Sequence, residues 1–272
     1  MISDLRSSGF RILVLAVFVA LAGGCAQKAK ALPPGSADAD KFLFERGGEA
    51  VKEKKWLEAR EYYRNLVDNY PQSAYRPDAK LALGDTYLSQ GGTENLLLAG
   101  NEFREFLTFY PTHPRADYSQ LQLARSFTAQ MLAPERDQSA TRDAIKEIEI
   151  FLQRFPNSQL MPDARKMERE AKDRLSEANY RIGFYYFRVK WYPGAIDRFK
   201  DLLKVDPAYT NRDAVYYHLA ESLYRSSLNE ADPAEKRAEA LPYYERLLKE
   251  FEKSDYLVEA QKRIAELKAP SH

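Results

Sequence analysis

The sequence predicts an all-α protein, a right-handed superhelical solenoid of five helix pairs closed by a C-terminal capping helix. The first reason is a repeat. An alanine followed four residues later by a bulky apolar residue occurs five times, at Ala59/Tyr63, Ala99/Phe103, Ala144/Ile148, Ala195/Phe199 and Ala240/Tyr244. The second is a proline twelve residues after each of the first four alanines, Pro71, Pro111, Pro156 and Pro207, with Glu252 at that place in the fifth copy. The third is a small residue upstream of each alanine: Gly47, Gly84, Ala124, Gly183 and Ala220. Units about 40 to 50 residues apart cannot bury an apolar face alone and gain a core by stacking.

The chain begins with Arg6 and Arg11, then an apolar run from Ile12 to Ala22, then Gly23, Gly24 and Cys25. Eleven apolar residues are too few for a membrane-spanning helix, which takes about 20, and the layout is that of a secretory signal. The only cysteine stands where a lipoprotein signal peptidase would cut, so Cys25 is expected to be the lipidated mature N-terminus. With one cysteine no internal disulfide forms, and stability must come from packing. Residues 25–39 read as an acylated tether, and 40–272 as the solenoid, with halves at about 40–156 and 157–272. Ala26 gives no acidic inner-membrane retention signal, which points to the outer membrane, periplasmic face.

Phe42 to Pro71 reads as a helix pair broken at Lys54 to Trp56. Gly47 and Ala59, twelve residues apart, match the tetratricopeptide pattern, in which small residues let paired helices approach and a bulky residue fills the gap. Gly183, Tyr186, Ala195, Phe199 and Pro207 repeat it without insertion. The other copies are expected to lengthen the turn, by three residues between Gly84 and Ala99 and by eight between Ala124 and Ala144 and between Ala220 and Ala240. The inserts Ala133-Pro134-Glu135-Arg136-Asp137 and Asn229-Glu230-Ala231-Asp232-Pro233 are turn-forming, and read either as an extended binding edge or as tolerated loops. Ser73, Ser158 and Ser254, with Asp78 and Asp163, are placed to accept bonds from the next helix start. Ala164 to Arg188 holds no breaker beyond Gly183 and predicts one long helix. Ser254 to Lys268 predicts the cap, with Leu257, Ala260, Ile264 and Leu267 on one face.

Composition excludes several functions. Residues 1–24 carry Asp4, Arg6 and Arg11, so their removal leaves 39 basic and 39 acidic residues of the 41 and 40 in the full chain. No basic patch suits phosphates, and the aromatic residues recur at core spacing, so no nucleic-acid partner is expected. His113, His218 and His272 lack a second histidine or cysteine at ligand spacing, and no phosphate-cradling loop or nucleophile elbow occurs. No catalytic residue, metal or cofactor is expected. The carboxylates accompany Lys and Arg at helical surface spacing, as in Glu58, Glu61 and Arg64, and show no converging pair of the kind a hydrolase needs.

Lipoprotein signal, tether and five repeats in this order resemble the BamD family of the outer-membrane barrel assembly machinery. The likeness is sharpest at Tyr110-Pro111-Thr112-His113-Pro114 with Asp117-Tyr118, and at Phe155-Pro156-Asn157-Ser158-Gln159 with Asp163-Ala164 and Lys172-Asp173-Arg174-Leu175. Glu252 and the regular fourth repeat depart from the family pattern. The resemblance implies a scaffold in the outer-membrane β-barrel assembly (BAM) complex. It would bind a BamA-like barrel protein through its POTRA domains, sit beside other BAM lipoproteins, and receive unfolded outer-membrane clients bearing a C-terminal aromatic signal. By repeat position the client groove would include Phe44, Leu81, Asp85, Leu88, Tyr118, Leu121 and Arg125, with Arg125 holding the carboxylate through its guanidinium fork. The competing assignment makes Phe44 and Leu121 core and pairs Arg125 with Asp85 on a wet face. On the charged face of Asp197, Arg198, Lys200 and Asp201, Arg198 is the expected POTRA contact. The rival function is an envelope lipoprotein that uses the same repeats to regulate peptidoglycan synthesis, division or secretin assembly, and the Tyr110 to Tyr118 string separates the two.

Overpacking a repeat alanine is the direct test of this reading. Ala59→Trp or Ala195→Trp should cost on the order of 1–3 kcal/mol or more in thermal or denaturant unfolding, whereas Arg125→Ala should leave helicity nearly intact.

Overall fold

The computed structural model describes residues 38–228 and 233–269. The signal segment, Cys25, nearly all of the tether and His272 lie outside the described residues, as do Asn229 to Asp232 of the last insert. The chain divides into a unit Met1–Phe42 and a unit Leu43–His272. Of the first, residues 38–42 are described, and they open the first helix. Among the described residues eleven helices follow in order: α1 Ala39–Lys52, α2 Trp56–Asn69, α3 Arg76–Gln90, α4 Thr93–Phe109, α5 Ala116–Thr128, α6 Ser139–Arg154, α7 Met161–Arg188, α8 Tyr192–Val205, α9 Arg212–Ser227, α10 Ala234–Glu250 and α11 Leu257–Lys268. Among the described residues no helix is long and apolar enough to cross a membrane.

Within Leu43–His272, consecutive helices pack on each other, and the first helices of successive pairs also touch: α3 on α5, α5 on α7, α7 on α9. Among the described residues no second helix packs comparably on another second helix. The first helices therefore line the inner, concave side and the second helices the outer side. This is the solenoid that the repeat spacing predicts.

The pairs are held by a ring seated on a missing side chain. A Cβ added at Gly47 would stand 2.5 Å from the Tyr63 ring, at Gly84 2.6 Å from Phe103, and at Gly183 2.7 Å from Phe199. In the third and fifth pairs Ala124 and Ala220 take the glycine's place, opposite Ile148 and Tyr244. Ala59, Ala99, Ala144, Ala195 and Ala240 are all fully buried.

Turns within pairs differ from expectation most clearly in the second pair, and in the fifth, where α9 and α10 take up part of the eight extra residues. The three extra residues between Gly84 and Ala99 do not lengthen the turn. They extend α3 and α4, and only Gly91 and Gly92, at φ 70° and 81°, remain outside helix. The two short copies close instead on Lys54 (φ 57°) and Lys190 (φ 61°), each five residues before its alanine. There Lys55 N–H donates to Ala50 O and Trp191 N–H to Tyr186 O, both at 2.9 Å, a six-residue closure that usually places glycine where these lysines stand.

Turns between pairs share one pattern. Tyr70, Tyr110, Phe155, Asp206 and Phe251 leave helix at φ between −125° and −134°, each still donating its N–H to the carbonyl four residues back. Phe251 does so ahead of Glu252, so the fifth repeat stops in the same geometry without its proline. Ser73, Ser158 and Ser254 accept the N–H two residues on, at 3.1, 3.1 and 3.3 Å. These bonds lie in the turn, and α3, α7 and α11 have no side-chain cap of their own. His113 replaces the serine in the second turn, its Nδ1 accepting from Arg115 N–H at 3.2 Å. Ser158 Oγ also donates to Asp117 (2.6 Å) and Ser254 Oγ to Asp213 (2.8 Å), tying each turn to the preceding first helix.

In the C-terminal half one continuous core cluster runs from Ala195 to Ala260. His218, 6% exposed, sits among Tyr180, Phe184, Phe187, Phe199, Tyr217 and Tyr256, and burial lowers its affinity for a proton. The cap is fastened by Glu221, 1% exposed, whose carboxylate accepts from Arg263 Nε (2.7 Å), Arg225 Nε (2.7 Å) and the Tyr244 hydroxyl (2.8 Å). Burial pushes Glu221 up, but these three donors outweigh it and hold the group below the usual carboxylate range. One carboxylate thus joins α9, α10 and α11, and Ala260 is buried beneath, with Ile264 and Leu267 against the same core.

Adjacent glycines in α1 test the packing rule, because Gly48 has only the Tyr63 hydroxyl oxygen near it, at 3.8 Å. Gly48→Ala should stabilise by up to about 1 kcal/mol through helix propensity. Gly47→Ala gains the same propensity but must displace a buried ring, and should destabilise by about 1–3 kcal/mol. Opposite shifts in Tm are the expected result.

Candidate functional site

The sequence-selected groove residues separate into three groups. Leu81 (0% exposed) and Leu121 (3%) belong to the core between helices, beside Phe103 and Phe106 in the first case and Ile148 and Phe151 in the second. They support the groove from behind and offer no surface to a ligand, which corrects their assignment as lining. Leu88 is partly buried against the Leu81 cluster. Phe44 is half-buried on α1, stacked on Tyr75 with ring centroids 5.3 Å apart and planes 23° apart, and 5.9 Å from Tyr63.

Asp85, Tyr118 and Arg125 form a connected polar set across α3 and α5. The Tyr118 hydroxyl donates to Asp85 Oδ1 at 2.7 Å, and Gln122 Nε2 donates to the same oxygen at 3.0 Å and to the Tyr118 oxygen at 2.8 Å. Arg125 Nη1 donates to Gln122 Oε1 at 2.8 Å, so the guanidinium reaches Asp85 through Gln122 rather than by direct pairing. Arg125 itself is exposed. Arg115 lies over the Tyr118 ring, 4.6 Å from its centroid, and donates to Asp78 Oδ1 at 2.9 Å. Tyr118, Gln122 and Arg125 follow one another at one helical turn along α5, which is why one strip of the concave side collects them.

The electrostatics follow from partial burial. Desolvation raises Asp85 above the ordinary carboxylate value, and the hydrogen bonds from Tyr118 and Gln122, with the fields of Arg115 and Arg125, offset only part of it. Burial and the Asp85 charge push Tyr118 up to about 12, and Tyr63 likewise. The set is a fixed carboxylate beneath an exposed guanidinium, with an aromatic stack on the neighbouring first helix. Such a surface suits an extended peptide with an apolar side chain and an anionic group.

Sequence reasoning missed Gln122, which bridges the set, and the Tyr75 and Tyr63 rings that hold Phe44. The four-residue step from Tyr118 and the three-residue step to Arg125 were the available signal for Gln122. In the C-terminal half, Arg198 is exposed on α8 and makes no ion pair with a described residue, while neighbouring Lys200 pairs with Glu239 at 2.5 Å. Among the described residues no group of His, Cys, Asp and Glu is arranged to hold a metal ion.

Comparison with known proteins places this architecture. Residues 36–210 match the family YfiO, described as outer membrane lipoprotein. The chain belongs to the YfiO family, the family of BamD. A relative from Caulobacter vibrioides, named outer membrane protein assembly factor BamD, is 28% identical over 223 residues, covering 80% of this chain and 72% of the relative. Proteins of the same name from Vibrio cholerae and Xylella fastidiosa strain 9a5c are 26% and 24% identical, covering 61% and 72% of this chain and 71% and 68% of the relatives. The TPR2AB domain of yeast Sti1 is 13% identical across 86% of this chain and all of that one, at a TM-score of 0.45.

Asp85 gives a pH signature. Its raised folded-state value means that the ionised form is disfavoured by folding, so its contribution is harmless at low pH and costs stability as pH rises through that value. Asp85→Asn, which retains an acceptor for Tyr118 and Gln122, should raise Tm at pH 7, with the advantage shrinking below about pH 4, where the free carboxyl is itself protonated. Tm measured against pH for both proteins checks this.

Proposed function

We propose that the protein is the lipid-anchored repeat scaffold of an outer-membrane β-barrel assembly complex. In this reading Cys25 carries the acyl chains and the solenoid lies on the periplasmic face of the outer membrane. The concave N-terminal half, about 40–156, receives C-terminal signals of unfolded outer-membrane proteins. The C-terminal half, about 157–272, holds the POTRA domains of a BamA-like barrel protein through the exposed face around Arg198, beside other lipoproteins of the complex. Family membership and the names of the relatives support the assembly role. The client half is carried by one observation, the exposed Arg125 guanidinium braced through Gln122 on the Asp85–Tyr118 pair beside the Phe44 stack. No step of this function calls for bond making or a cofactor; the chain acts by binding.

A groove that hands clients onward should bind isolated peptides in the micromolar range, about 8 kcal/mol. Isothermal titration calorimetry with a ten-residue peptide ending in phenylalanine and a free carboxylate tests it. Arg125→Ala and C-terminal amidation should each weaken binding about tenfold or more, with helicity unchanged. Equal affinity for the free and amidated peptides would remove Arg125 from its role.

A further inference from the structure

The insert between α5 and α6 is not a loose loop. Gln138, 7% exposed, donates through Nε2 to Ala133 O (2.9 Å) and Arg136 O (3.1 Å) and accepts from Thr141 Oγ1 (2.8 Å), which folds the insert on itself. It is then fixed to α7 at two points two helical turns apart. Arg174 Nη1 donates to Leu132 O at 3.1 Å, and Arg181 pairs with Glu135. Beside these pins lies a cleft of about 530 Å³, with the insert as one wall and the last turns of α7, from Leu175 to Tyr186, as the other.

The cleft has an apolar floor and an unbalanced rim. Leu175, Ala178, Ile182 (41% exposed) and Tyr185 (61% exposed) line the α7 side. The rim carboxylates are already engaged: Glu135 by Arg181, and Asp137 by the Ser139 N–H (2.9 Å) and hydroxyl (3.2 Å) at the start of α6. Arg142 donates to the Ser139 hydroxyl at 3.2 Å and its field reaches Asp137, but neither it nor the exposed Arg136 forms an ion pair with a described residue. Two guanidiniums therefore face a cleft whose floor is aliphatic and aromatic. Because the insert is held by hydrogen bonds in the free protein, little ordering is needed when something binds.

We infer that this cleft is a second peptide-binding site, for an extended polypeptide segment that alternates acidic with aromatic or aliphatic side chains. The apolar side chains fill the floor between Leu175 and Tyr185, and the carboxylates meet Arg136 and Arg142. The site is separate from the concave strip of Asp85 and Arg125 and stands whether or not that strip receives clients.

A fluorescein-labelled peptide of repeating Asp-Phe-Glu-Leu, titrated with the full mature chain and read by anisotropy, is the test. Saturable binding is expected, weakened at least tenfold in the double variant Arg136→Glu/Arg142→Glu with its thermal melt unchanged, and unaffected by Arg125→Ala. A Lys-Phe-Lys-Leu peptide should bind the double variant better than the wild type. Ile182→Asp, on an exposed position, should weaken the acidic peptide independently of the arginines. Absence of saturable binding, equal binding by wild type and double variant, or loss on Arg125→Ala instead would overturn the assignment.

Discussion

The approach of the two helices in each pair is the constraint on which everything else rests. A helix backbone can come within ring contact of its partner only where a Cβ is absent or is a single methyl. Tyr63, Phe103 and Phe199 occupy the space that Gly47, Gly84 and Gly183 leave open. That seat fixes the spacing of the pair, and the fully buried alanines let the next helix close over it. Overpacking such a seat costs kilocalories, because a close-packed interior has no free volume to absorb a displaced ring. The repeat is thus a steric rule written five times, and hydrophobicity alone would not specify it.

From that rule the two surfaces follow. First helices touch first helices along the inside, so side chains on their free faces are gathered into one continuous strip. Asp85 on α3 meets Tyr118 and Gln122 on α5 only because successive pairs are stacked in register. The edge formed by turns within pairs is not bound by the same rule and can take insertions. One of these has been built into a wall by Gln138, Arg174 and Arg181. The concave strip is a product of the repeat, whereas the cleft beside α7 is a product of its interruption.

Much of this was legible in the residues. The alanine and aromatic spacing gave the pairs, the missing breaker gave the long α7, and the apolar stripe of 257–267 gave the cap. What escaped did so for physical reasons. Leu81 and Asp85 are four residues apart on the same stripe of α3, and only the position of α4 decides that one is sealed and the other half-open. Gln122 bears no charge and stands out only once Tyr118 and Arg125 flank it in space. The break at Lys54 to Trp56 was read from the pair spacing, but Lys54 and Lys190 occupy a left-handed position usually held by glycine, so the closure itself has no turn residue to mark it. The expected longer turn after Gly84 became helix because Gly91 and Gly92 reverse the chain in two residues. His113 drew notice as part of a distinctive string, and its task proves to be that of a turn serine.

If this repeat scaffold serves barrel assembly as proposed, the partners that accompany the protein in its own envelope will show it. The full chain, expressed in its own envelope, extracted in mild detergent and purified by an affinity tag, would be analysed by mass spectrometry for partners at equal stoichiometry. A large barrel protein with several POTRA domains should be among them, and Arg198→Glu should reduce its recovery without loss of the fold. Recovery of cell-wall synthases, division proteins or a secretin, with no such barrel protein, would contradict the assembly role.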